Sequence, residues 1–146
     1  MRQLWRIAVC AAVISCLSFV GLGCVHVKIC HREKVQRYGM VIGLRPEKME
    51  EYKKLHAAVW PDVLKTIHEC NIRNYSIYLG QLDDGNHYLF SYFEYVGNDF
   101  KADMDKMAAD ATTQKWWGVC KPCQIPQKNR AKDDWWMNMP EVFHFE

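Results

Sequence analysis

Tyr52 and His56 are the residues of this sequence best suited to acid–base chemistry. They lie four positions apart in a stretch whose apolar residues recur every three or four positions, so a helix brings their side chains together. Histidine is the one side chain whose ordinary pKa allows proton exchange near neutrality. The pair predicts a site of proton transfer. The alternative is a core histidine whose hydrogen bonds are satisfied inside the protein.

Further aromatic residues suit the walls of a carbohydrate site. Tyr75 falls on a predicted strand beside that helix, and Trp116 and Trp117 are adjacent in a later helical segment. Flat rings cover the apolar C–H face of a sugar, and phenol hydroxyls bond to its hydroxyls. The alternative is that the tyrosines are core residues and the tryptophans are packing or interface residues. A second pair, Trp135 and Trp136, could extend such a site but is interpreted as loop or interface.

The elements that must position these residues alternate between strand and helix patterns. Pro46 suits the first turn of the helix that carries His56, and Trp60-Pro61 predicts a kink or two helices placed end to end. A turn at residues 83–86 joins two apolar runs into a hairpin. Asn98 is the expected cap of a second helix, and Asp110 precedes a further helical segment. The predicted strands are residues 38–44, 72–79, 87–95 and 141–145.

This order, β-α-β-β-α-β, is typical of an α+β, ferredoxin-like split βαβ fold. Its helices cover one face of the sheet. The other face exposes side chains from runs as apolar as residues 88–90. We expect a second, identical subunit to cover that face, which predicts a homodimer.

The N-terminus has a different composition and predicts a leader. Residues 1–24 contain Arg2 and Arg6, an uncharged apolar run and a small-residue end, as an export or lipoprotein-type signal does. Cys16 and Cys24 each follow a sequence that resembles a lipid-attachment site. The predicted domains are therefore a signal at 1–24, a linker at 25–36 and a folded domain at 37–146. The expected location is periplasmic or membrane-anchored; an uncleaved anchor, or a cytoplasmic protein with a mis-assigned start, is the alternative.

Charge and cysteine content exclude other classes of function. The net charge of +2 comes from the two leader arginines, and without them basic and acidic residues balance at 17 each. A neutral domain without a basic run gives no reason to expect nucleic acid. Cys120 and Cys123 have the spacing of redox or metal sites, but a zinc site needs four ligands and no second such pair follows the leader. We interpret them as a structural loop, as a disulfide if the protein is exported, and predict no metal.

Five segments in register resemble the L-rhamnose mutarotase family. They are residues 40–44, Tyr52-Lys-Lys-Leu-His56-Ala-Ala-Val-Trp60-Pro61, Asn74-Tyr75-Ser-Ile-Tyr-Leu79, Gln114-Lys-Trp116-Trp117 and Glu141-Val-Phe143. The resemblance implies a dimeric α+β barrel that interconverts the α and β anomers of L-rhamnose without metal or cofactor. It implies that His56 is the proton donor and that Tyr52, Tyr75, Trp116 and Trp117 bind substrate.

Two departures from the family pattern concern the leader and the stretch from residue 118 to 139, which is longer and more basic than in shorter members. The second departure leaves the sugar preference open. Two other functions remain as alternatives. One is a cofactor- or haem-handling enzyme on the same dimeric barrel. The other is a sugar-binding lipoprotein without catalytic activity.

Overall fold

A computed structural model of the chain describes residues 35–145. The predicted leader, with Cys16 and Cys24, and the linker as far as residue 34 lie outside the described residues. The elements are β1 (Gln36–Leu44), a 3-10 turn (Pro46–Lys48), α1 (Met49–Ala57), α2 (Pro61–Glu69), β2 (Ile72–Gln81), β3 (His87–Tyr95), α3 (Phe100–Ala109), α4 (Ala111–Cys120), a second 3-10 turn (Lys121–Cys123), β4 (Gln124–Ile125) and β5 (Met137–Met139).

The strands form one antiparallel sheet in the order β2-β3-β1-β4, and β5 also pairs with β1. The fourth strand position is shared by two short strands, because β4 pairs with Gly43 and Leu44 while β5 pairs with residues 39–41. A sheet in this order, with helices between the first two and the last two strands, has the split βαβ arrangement. The structure confirms the predicted α+β, ferredoxin-like fold.

The predicted interruption at Trp60-Pro61 is confirmed, and it divides the first connection into α1 and α2. α1 ends at Ala57, and Pro61 is the first residue of α2, where its missing N–H costs no helical hydrogen bond. The Trp60 backbone before it is extended, as a residue before proline prefers. Within residues 35–145, no helix has the length and apolar character needed to cross a membrane.

The hairpin of β2 and β3 gives the sheet two different faces. Along β3 the buried residues alternate with half-buried ones, so Leu89 and Phe93 pack under the helices while Phe90 lies on the opposite face. β2 is irregular near its start, where Asn74 has a φ of 49° and the pairing shifts between Arg73 and Ser76. Tyr75 lies within this bulge, which changes the direction of the strand beside the helices.

Aspartate side chains begin both helices of the second connection. Asp99 accepts a hydrogen bond from the backbone N–H of Ala102 at 3.0 Å, so it caps α3, and the prediction that Asn98 is the cap was wrong by one residue. Asp110 caps α4 by accepting from the Thr113 N–H at 2.7 Å, and the predicted helical segment follows it. Asp110 thus separates two short helices, α3 and α4, which contribute the buried residues Met107 and Trp116 to the core.

The predicted final strand at residues 141–145 was wrong. The last strand is Met137–Met139, and Pro140 follows it. Proline has no N–H to continue the ladder with β1, so pairing stops there. Residues 141–145 run on without secondary structure and leave Val142, Phe143 and Phe145 exposed by 94 %, 79 % and 83 %.

Candidate functional site

One cavity of about 390 Å³ lies between the helices and the sheet, and all five predicted site residues line it. α1 supplies Tyr52 and His56, β2 supplies Tyr75, and α4 supplies Trp116 and Trp117. A second cavity of about 330 Å³ shares His56, Tyr75 and Trp116 as lining residues. These volumes fall in the range of small-molecule sites.

His56 is oriented by the helix that carries it. Its Nδ1 atom lies 3.0 Å from the backbone carbonyl oxygen of Tyr52. A carbonyl oxygen only accepts hydrogen bonds, so Nδ1 must carry the proton, and Nε2 is the nitrogen left for a ligand. Nε2 makes no hydrogen bond to any side chain or backbone group within residues 35–145.

Neighbouring rings fix the plane of the imidazole. The Tyr52 ring stacks on it with centroids 4.0 Å apart, and the Trp116 ring meets it edge-on at 5.3 Å. Trp116 in turn contacts Trp60 edge-on at 5.3 Å. Burial lowers the pKa of His56 below its ordinary value, and the hydrogen bond to the Tyr52 carbonyl opposes this shift. The imidazole is therefore neutral at pH 7, with a lone pair on Nε2.

Both tyrosines of the cavity keep their protons at neutral pH. Burial is the main cause that raises the pKa of Tyr52, and the nearby Gln124 side chain partly offsets it. Burial also raises the pKa of Tyr75, whose hydroxyl end points inward although 42 % of the residue is exposed. Phenols with raised pKa values donate hydrogen bonds and do not act as bases near neutrality.

The two predicted tryptophans occupy different positions. Trp116 is buried in the main core cluster beside His56 and Tyr52, so it packs as well as lines the cavity. Trp117 is half-buried, and the Lys121 ammonium lies 5.7 Å from the centre of its ring. Of the two, Trp117 offers more surface to a ligand.

The cavity has further lining residues that sequence reasoning missed. Those that come from the segment after α4 are Lys121, Gln124, Asp133, Trp135 and Trp136. Trp135 and Trp136 were interpreted as loop or interface residues, because a loop has no periodic pattern from which the positions of its side chains can be predicted. Only their composition, two more adjacent indoles, pointed to a sugar site.

Cys120 and Cys123 are both buried free thiols in the structure. Burial raises the pKa of Cys120 to about 12, so its thiolate is not populated at neutral pH. Within residues 35–145, no group of three or more His, Cys, Asp or Glu side chains is arranged to hold a metal ion.

Comparison with known proteins gives a consistent match over the folded region. The profile of the L-rhamnose mutarotase family matches residues 37–145. An L-rhamnose mutarotase of Oceanobacillus iheyensis is 30 % identical over 112 residues, which are 77 % of this chain and 100 % of the relative. That of Listeria monocytogenes serotype 4b is 33 % identical over 110 residues, 75 % of this chain and 98 % of the relative.

Solved structures share the fold at lower identity. An L-rhamnose mutarotase from Formosa agariphila superposes with a TM-score of 0.57 and 21 % identity, over 76 % of this chain and 99 % of that one. Tetracenomycin F2 cyclase from Streptomyces glaucescens, a polyketide cyclase, superposes with a TM-score of 0.53 and 14 % identity, over 76 % and 97 %. The second similarity illustrates that the fold alone does not define a reaction.

Proposed function

The chain belongs to the L-rhamnose mutarotase family, and on that premise we propose that it interconverts the α and β anomers of L-rhamnose or a closely related 6-deoxy sugar. One observation carries the proposal. A single cavity brings together an imidazole with a free Nε2, two protonated phenols and two indoles. This set supplies proton transfer, hydrogen bonds to hydroxyls and flat surfaces for a sugar ring.

His56 is the proposed proton donor to the ring oxygen. The neutral imidazole first takes the proton of the anomeric hydroxyl at Nε2, and the O–H electron pair forms the C1=O double bond. The bond from C1 to the ring oxygen breaks, its electron pair stays on that oxygen, and the imidazolium returns the proton there. Rotation about C1–C2 and the reverse steps then close the ring on the other face. No proton is gained or lost overall.

The phenols and indoles hold the sugar during these steps. Tyr52 and Tyr75 donate hydrogen bonds to sugar oxygens, and Trp116 and Trp117 cover apolar C–H groups. The reaction proceeds slowly in water, so a factor of about 10²–10⁴ from positioned proton transfer is a useful acceleration. No metal or cofactor is needed for this sequence of steps.

Saturation-transfer NMR tests the activity directly. The full chain, added to L-rhamnose at equilibrium, should increase the exchange rate between the two anomeric proton signals. Heat-denatured protein at equal concentration is the control. Exchange at the uncatalysed rate, with L-rhamnose binding retained, would favour the sugar-binding lipoprotein without catalysis. Visible absorption or stoichiometric metal in the purified protein would favour the cofactor- or haem-handling enzyme.

We also propose that the protein is a homodimer. The sheet face opposite the helices bears Tyr88, Phe90 and Tyr92, and Tyr78 on it is exposed. The C-terminal residues 141–145 add exposed apolar side chains that nothing within residues 35–145 covers. Light scattering should give twice the subunit mass at micromolar concentration. A Phe90→Lys variant that stays folded should shift towards the monomer, and a monomeric parent protein would refute the dimer.

For the N-terminus we propose export through the leader at residues 1–24, with lipid attachment at Cys16 or Cys24. The apolar run behind two arginines supports this. Intact-mass measurement on protein from the native host should find a shortened, acylated chain in the membrane fraction. A full-length, unacylated chain in the cytosol would refute export.

A further inference from the structure

The cavity has a second aromatic wall, formed by the segment that follows α4. Trp135 lines the cavity beyond the five residues assigned above and remains 37 % exposed. It lies in an irregular segment between β4 and β5. A partly exposed indole at the edge of a largely apolar cavity needs a definite anchor if it is to contribute to recognition.

Gln124 provides that anchor. The indole Nε1–H of Trp135 donates to Gln124 Oε1 at 2.7 Å. Gln124 itself is only 5 % exposed, and its backbone pairs with Leu44 in the central strand β1. A buried amide held by the sheet therefore fixes an indole that belongs to a loop. Breaking this bond would leave a buried amide oxygen and an indole N–H unpaired.

Two other contacts restrict the same segment. The Lys121 ammonium lies 5.2 Å from the Trp135 ring centre and 5.7 Å from that of Trp117, so it joins the two indoles. Arg130 closes the loop by donating from Nε to the Asp134 carbonyl at 2.7 Å and from Nη1 to the Gln127 carbonyl at 3.0 Å. Trp135 is thus preorganised next to Trp117 before any ligand binds.

We propose that Trp135 is a further substrate-contacting residue of the mutarotase site and that Gln124 is its positioning residue. This inference rests on the proposed function and extends it to residues outside the family's assigned set. Trp117 and Trp135 then form two adjoining indole surfaces for one sugar ring. The same Gln124 amide also acts on the Tyr52 hydroxyl, which connects the loop to the wall beside His56.

The test measures kcat and KM for anomer exchange of L-rhamnose in the full chain. Trp135→Ala should raise KM about tenfold with kcat changed less than about threefold, because it removes an aromatic contact and not the proton carrier. Trp135→Phe keeps a flat ring but loses the N–H, and Gln124→Leu keeps the volume but loses the acceptor. Each should raise KM by about 2–13-fold, the effect of one hydrogen bond.

The double variant separates positioning from general stability. Gln124→Leu should raise KM by a smaller factor in the Trp135→Phe background than in the parent, since phenylalanine has no N–H to hold and only the contact of Gln124 with Tyr52 is then lost. Gln81 offers a matched control, because its Nε2 donates to the Gly85 carbonyl at 2.9 Å in the exposed hairpin turn. Gln81→Leu should leave KM at the parent value.

If the KM of Trp135→Ala equals that of the parent protein, Trp135 does not contact the substrate. The positioning role of Gln124 would be overturned if Gln124→Leu raised KM by the same factor in the parent and in the Trp135→Phe background. It would also be overturned if Gln124→Leu lowered the thermal midpoint and left KM unchanged. Calorimetric titration with L-rhamnose distinguishes these failures from failure of the proposed function. A parent protein that binds the sugar without exchanging anomers refutes the activity, and the Kd of Trp135→Ala then decides the contact. A parent that does neither overturns both.

Discussion

Tyr52 and Tyr95 are both buried tyrosines, yet their hydroxyl groups are used differently. Tyr95 donates to Asp103 Oδ2 at 2.6 Å and accepts from the Asp99 N–H at 3.0 Å, while Asn71 donates to the same carboxylate oxygen at 2.9 Å. Tyr52 faces a cavity beside His56, whose Nε2 makes no hydrogen bond within residues 35–145. We call the first region the Tyr95 network and the second the Tyr52 cavity.

The difference separates structural from functional polar groups. In the Tyr95 network the polar atoms form hydrogen bonds with one another. Burial and the bond to Asp103 raise the pKa of Tyr95 to about 12. The hydrogen bonds from Tyr95 and Asn71 lower the pKa of Asp103. Such a network holds α3 and the residues around Asn71 on the sheet. In the Tyr52 cavity, Nε2 of His56 has no hydrogen-bond partner within residues 35–145 and remains available to a ligand. The first region should control stability and the second should control activity.

The largest expected effect is on the cavity. His56→Ala should lower anomer exchange by about 10²–10⁴-fold, because it removes the proposed proton carrier. L-rhamnose binding should change little, and the thermal midpoint should stay near the parent value. Saturation-transfer NMR and calorimetry measure these properties. Exchange at the parent rate in a folded His56→Ala protein would identify His56 as a core residue only.

Gly97→Ala tests the Tyr95 network, where we expect a loss of stability without a loss of activity. An added Cβ would overlap the Tyr95 hydroxyl oxygen and lie 2.8 Å from Asp103 Oδ2. Neither atom moves freely, since each is held by hydrogen bonds, so the free energy of unfolding should fall by about 1–3 kcal/mol. Gly118→Ala is the control, because a Cβ there meets no atom within 4 Å. Chemical denaturation measures both, and a change in kcat for Gly97→Ala would contradict the separation of the two regions.

Acid pH should affect the cavity before the network. Because burial lowers the pKa of His56, the neutral form persists at neutral pH and is lost only as pH falls below about 6.5. Catalysed exchange should be constant above that pH and fall by up to about tenfold per unit below the folded-state pKa. The lowered pKa of Asp103 stabilises the fold above about pH 4, and this contribution is lost on further acidification. If catalysed exchange instead rises as pH falls, the protonated form of His56 is the form that starts the reaction.

Much of this arrangement was predictable from the sequence, and the rest depends on tertiary contacts. The spacing of Tyr52 and His56 follows from helix geometry, and Pro61 marks the break between α1 and α2. The position of Trp135 has no such local cause, since Gln124 and Lys121 hold it across a loop.

Two wrong predictions have the same origin. Residues 141–145 are rich in β-branched and aromatic residues like a strand, but Pro140 ends the pairing with β1, and a strand forms only where a partner edge is present. Asn98 and Asp99 are both good caps, and the choice of Asp99 is made by tertiary contacts, because its N–H donates to the Tyr95 hydroxyl. The bulge at Asn74 also left no signal in the alternation of β2.

The smallest expected effects come from a matched pair of substitutions, Tyr52→Phe and Tyr95→Phe, which each remove one hydroxyl and keep the ring. Tyr52→Phe should weaken L-rhamnose binding by about 0.5–1.5 kcal/mol, one hydrogen bond to the sugar, with little change in the thermal midpoint. Tyr95→Phe should lower the thermal midpoint, because Asp103 and the Asp99 N–H lose a buried partner, while KM and kcat stay at the parent values. Calorimetric titration and thermal unfolding of both variants check the pair. If Tyr52→Phe lowers stability as Tyr95→Phe does and leaves binding intact, the Tyr52 hydroxyl is a structural group, and the polar contact to the sugar must come from Tyr75 or Gln124.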